Sequence, residues 1–244
     1  MRDQYAGDIS DLLKFAFLRA IAGDDKAIGV GWYYNSTHDG LQDGRHREYC
    51  GEKKWESLDR ALLTALKELS GRSVDALEQL PIWPAGTRFH RVPVPSRGNR
   101  HAWTGEMQTA LQDSGIVFLD PDNGVGSASE RHTTVAEVAA MRQSGRVVVL
   151  IKFPGRTNHA QQIEEYHSLL QAQTGALSVV TVRTCVSVTV VNKAGLLRGV
   201  PRIRWFTIVD ADDVSTARAR QFAQKLNAIE KCKAEVVCAS GKYA

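Results

Sequence analysis

Short apolar runs, each followed by a polar loop and then an amphipathic stretch, recur along the chain. That alternation leaves one economical architecture, a layered α/β sheet. "DISDLLKFAFLRAIAG" (8–23) is predicted as a helix, capped by Asp8, striped by Leu12, Leu13, Ala16 and Ala20, and stopped by Gly23. "AIGVGWYY" (27–34) reads as a buried strand, 55–71 as a second amphipathic helix, 73–80 as a short helix and 87–94 as a strand. A helix over 101–113 leads into the strand "GIVFLD", a helix over 133–145 into "RVVVLIKF" (146–153), and 158–171 is helical again. After Gly175 the pattern changes to long β-branched runs, "LSVVTVRTCVSVTVVN" and "RIRWFTIVD". These predict an antiparallel edge on a mostly parallel sheet flanked by helices, with a last helix near 213–230. No repeat, low-complexity tract or linker breaks the pattern, so residues 1–244 are expected to form a single domain.

The four cysteines show no CxxC spacing, and no apolar run has the length of a membrane helix. The start, "MRDQYAGDIS", lacks the hydrophobic segment of a signal peptide, so the expected setting is cytoplasmic and away from membranes. Oligomeric state is not legible. The formal charge is only +4, but basic residues cluster at 44–54, 88–103 and 198–205. Such clusters suit a nucleic acid, RNA or DNA, because lysine and arginine displace its condensed counterions; a solvated basic face is the alternative. Arg97 and Arg100 in the loop "PSRGNR" are the predicted phosphate-tracking pair, with their charge expected to matter little for stability.

Ligands of open α/β sheets bind beyond the carboxyl ends of the strands. That rule selects "NSTHDGLQDG" after Tyr34, "DPDNGVG" after Leu119 and "KFPGRTNH" after Ile151. Turn formation explains any one such loop, but three at one sheet edge favour a site. The helix start "YAGDISDLLKF" joins them: Asp11 and Lys14 share a helical face, Asp8 stands at free backbone amides, and Gly7 gives a ligand room at the backbone. A plain cap with an exposed ion pair is the alternative there. Of the histidines, His38 is singled out by its loop while the others lie in charged or helical surroundings, and HxxxH, CxxC and GxxxxGK patterns do not occur, so no residue is assigned to a metal.

The motifs together resemble the bacterial large-subunit ribosomal RNA adenine-N6 methyltransferases. Gly7, Asp11 and Lys14 match the amino-terminal motif of that family. Ser36-Thr37-His38-Asp39-Gly40 stands where the family has Asp-Thr-His-Ala-Gly, and Asp120-Pro121-Asp122-Asn123 where it has Asp-Pro-Pro-Tyr. The resemblance implies a Rossmann-like fold of the methyltransferase type, S-adenosylmethionine as cofactor and a nucleic-acid amine as target. Gly7, Asp8, Lys14, Ser36 and His38 would then face the cofactor, with Asp120, Asp122 and Asn123 as the catalytic group. Ser36 replaces an Asp, Asp122 a Pro and Asn123 an aromatic, so Asn123 offers hydrogen bonds but no stacking platform for a flipped base. Two other readings remain. Asp120 and Asp122, with Asp8 nearby and Lys152 facing a phosphate, would suit a Mg²⁺-dependent nuclease or phosphotransfer enzyme. The third is a non-catalytic nucleic-acid-binding module of the same fold.

Overall fold

The computed structural model describes residues 1–37, 40, 47–95, 98–155, 158–191 and 196–239. Its helices are α1 (Ile9–Ala22), α2 (Glu56–Lys67), α3 (Val74–Glu78), α4 (Arg100–Ala110), α5 (Val135–Met141), α6 (His159–Thr174) and α7 (Asp213–Asn227). The strands are β1 (Ile28–Trp32), β2 (Arg88–His90), β3 (Ile116–Asp120), β4 (Val147–Lys152), β5 (Val179–Val191), β6 (Leu197–Val209) and β7 (Cys232–Cys238). They form one sheet in the order β2-β1-β3-β4-β6-β5-β7. The first four are mutually parallel; β6 runs against β4, β5 against β6 and β7 against β5. The expected class is therefore the observed one, a mostly parallel sheet with an antiparallel side. That side is wider than the sequence suggested, because β7 extends it beyond β5.

Helices cover both faces. One apolar layer lies between the sheet and α1, α2, α3 and α7, the other between the sheet and α4, α5 and α6. Alternation along each strand divides the side chains: Ile28, Val30 and Trp32 enter the first layer, while Gly29 and Gly31 face the second. A methyl group at Gly29 would stand 2.6 Å from the Ser114 hydroxyl and 3.2 Å from the Leu111 Cβ. Those two glycines let α4 and the turn after it lie close on the sheet.

Asp8 caps α1 as expected, accepting from the amides of Ser10 and Asp11, and Gly23 follows its last turn. Twelve of its fourteen residues are buried, however, including Asp11 and Lys14. An exposed ion pair is thus excluded: α2 and α7 pack on the helix from outside while the sheet lies beneath it. β6 begins earlier than predicted, taking in Gly199 and Pro201. Up to Arg204 it pairs with β5 alone, so proline's missing donor breaks no ladder with β4.

Candidate functional site

Parallel pairing brings Trp32 of β1 level with Asp120 of β3, so both strands end at one edge, where α1 also begins. Lys14 joins these parts. Its ammonium lies 2.9 Å from each oxygen of Asp120 and 3.2 Å from Asp11 Oδ1. All three residues are buried, and the two carboxylates share one cation. Desolvation pulls against the Lys14 charge, but Asp120 and then Asp11 outweigh it and hold the ammonium above the ordinary lysine range. Burial dominates at Asp11, whose carboxyl is pushed up to about 7 despite Lys14 and an amide hydrogen bond from Gly7.

Gly7 is committed to the chain itself. Its amide donates to Asp11 Oδ2 over 2.7 Å, its carbonyl accepts from the Tyr49 hydroxyl, and a Cβ there would meet Leu69 at 2.9 Å. Its left-handed backbone, with φ of 76°, serves packing and leaves no opening for a ligand. Asp8 remains half-buried at the helix start. Ser10 beside it accepts from the Arg204 guanidinium, at 3.0 and 2.8 Å from Nε and Nη2. Burial draws Arg204 down to about 10, against the field of Asp8, and its guanidinium stacks 4.4 Å from the centre of the Phe153 ring. Sequence reasoning missed Arg204. The available signal was an arginine alternating through an otherwise apolar run, "RIRWF".

The loop after β3 is an ordered strap. Asn123 N donates to Arg131 O and Thr133 N to Gly124 O, over 2.9 and 3.1 Å, closing residues 123–133 on themselves. Glu137 anchors the strap by accepting from Tyr33, Thr134 and Arg100, and Arg100 also donates to the carbonyls of Ser129 and His132. This leaves the Asn123 side chain exposed on a fixed backbone, while Asp122 meets the Met1 amino group at 2.9 Å and is partly exposed. Asp120 and Asp122 therefore face separate cations, which weighs against a shared Mg²⁺. Ser36 is exposed beyond β1; His38 lies outside the described residues.

Arg100, half of the expected phosphate-tracking pair, is engaged within the fold. It is bound to Glu137 and lies over Tyr33 and Trp103, while Arg88 pairs with Asp113 and Arg91 with Asp75. These arginines neutralise their own fold's carboxylates; Arg97 lies outside the described residues. At the opposite sheet edge a cleft of about 530 Å³ is lined by Arg142, Arg146 and Asp210, among others. Its arginines are also occupied, Arg142 by Asp210 and Arg146 by the carbonyls of Leu111, Gln112, Ser114 and Met141.

No family model and no curated protein matches the chain. Among solved structures it is similar to precorrin-6y C5,15-methyltransferase from Geobacter metallireducens GS-15, at 10% identity over 79% of this chain and 84% of that one, with a TM-score of 0.32. Among the described residues, no helix is long and apolar enough to cross a membrane.

Proposed function

We propose that the chain is an S-adenosylmethionine-dependent methyltransferase whose target is an amine, carried by a nucleic acid. The observation behind this reading is the Lys14 contact to Asp120, which unites the amino-terminal motif with the loop after β3 at the carboxyl edge of the sheet. The charge at that edge fits the cofactor, whose cationic groups find a partly exposed carboxylate in Asp8. Asp8, Ser36 and His38 would hold it, and when bound it supplies an electrophilic methyl group.

The chain's own residues then divide the work. Lys14 holds both oxygens of Asp120 and so fixes the end of β3. Asn123, exposed on its hydrogen-bonded strap, offers a carbonyl to an amine N–H and so orients the nitrogen lone pair. Because Lys14 takes both Asp120 oxygens and the Met1 amino group meets Asp122, Asn123 is the group left to meet a substrate.

Calorimetric titration with S-adenosylmethionine and S-adenosylhomocysteine tests the reading directly. Saturable binding is expected; none at millimolar concentration sinks it. With radiolabelled methyl donor and bulk RNA or DNA as acceptor, Asn123→Ala should lower transfer at least about tenfold. Cofactor affinity and melting temperature should stay near wild type, since the side chain is exposed.

A further inference from the structure

The third loop of the carboxyl edge begins at Lys152, whose surroundings differ from those of every cation described above. Among the described residues its ammonium makes no hydrogen bond and no ion pair, although the side chain is half-buried. It lies 4.7 Å from the centre of the Tyr166 ring, and desolvation lowers its proton affinity with no carboxylate to restore it. Lys152 pairs across the strands with Trp205, so both side chains project from the same sheet face, the one covered by α6. Trp205 Nε1 and the Tyr166 hydroxyl are buried and find no hydrogen-bond partner. Both are donors, as is Lys152. Two groups that only donate, beside a tyrosine hydroxyl free to donate, suit an anion. The strap after β3 closes in from the other side, since a Cβ at Gly124 would stand 3.2 Å from the Lys152 Cα.

We infer that Lys152, Trp205 and Tyr166 form a phosphate-binding subsite beside Asn123, where a phosphate of the substrate is anchored. A tetrahedral phosphate accepts from three non-coplanar directions, whereas a planar carboxylate offers two oxygens in one plane. The inference rests on the proposed methyl-transfer reading for its place in catalysis, since the anchored phosphate would present the target amine to Asn123. Phosphate binding itself is independent of that reading.

The test is titration of the full chain with inorganic phosphate, acetate, and a nucleoside 5′-monophosphate against its parent nucleoside. Saturable phosphate binding, preference over acetate and preference for the monophosphate are expected. Lys152→Met should weaken phosphate at least about tenfold, the loss expected for one charge-assisted hydrogen bond, and Trp205→Phe should weaken it by a smaller factor. Should Lys152→Met not fold, Lys152→Gln carries the same expectation. Equal phosphate affinity in wild type and a folded Lys152 variant overturns the proposal. So does acetate binding as tightly as phosphate, or absence of phosphate binding at tens of millimolar. Cofactor titration of the same variants separates the two ideas. Phosphate bound without any cofactor affinity would remove the methyl-transfer reading and leave the subsite; cofactor bound without phosphate would do the reverse.

Discussion

Asp11 shows how one side chain can hold information that its neighbours in sequence conceal. Two carboxylates share the Lys14 ammonium inside the fold, and burial makes Asp11 hold its proton more readily than an aspartate in water. Its folded value of about 7 stands above the ordinary 3.8, so between those limits the native state binds more protons than the unfolded chain. Stability from this group is fully present below about pH 4 and is lost as the pH rises through 7. Asp11→Asn should remove that loss, on the order of a few kcal/mol, flattening the melting temperature against pH across the window. An unchanged slope in thermal melts of the variant would disprove it. The Asp11 to Lys14 spacing was legible from the helix period. Its partner was not, because Asp120 lies 106 residues away and only the parallel register of β1 and β3 brings it near.

At the level of elements, the sequence was most informative where periodicity ran long. The positions of α1, α2, α6 and α7 follow from their apolar spacing, and β3 and β4 from unbroken apolar runs. β7 escaped notice: "CKAEVVC" is short, its burial alternates weakly, and it gains meaning only from the β5 edge it completes. The ion pairs of the basic cluster at 88–103 were hidden for the same reason, since Asp75, Asp113 and Glu137 are supplied by other elements. The fit of α4 against β1 yields a sharper expectation. Gly29→Ala would place a methyl against Ser114 and Leu111, whose Cβ atoms stand close to the backbone and yield little. A loss of about 1–3 kcal/mol in denaturant unfolding follows, as for other overpacked cores. Gly31→Ala meets the flexible Met107 sulfur first and should cost less.

Over the molecule as a whole, the sheet has two parts that meet along a single line. The parallel strands β2, β1, β3 and β4 stand on one side, β5 and β7 on the other, and β6 is hydrogen-bonded to both. The β4 to β6 ladder spans only Lys152–Val148 against Trp205–Val209, yet it adjoins the candidate phosphate subsite at one end. That ladder acts as a hinge pin for cooperativity: were it to open, each half would keep its own hydrogen bonds but expose the shared core. The amides of Phe206, Thr207 and Ile208 should therefore exchange with deuterium only through global unfolding, and those of the three-residue β2 through local fraying. Faster exchange at β6 than at β3 would mean that the halves unfold separately. If they do not, a ligand gripping Lys152 and Trp205 clamps the seam from outside, and its binding energy becomes resistance to unfolding of the entire chain.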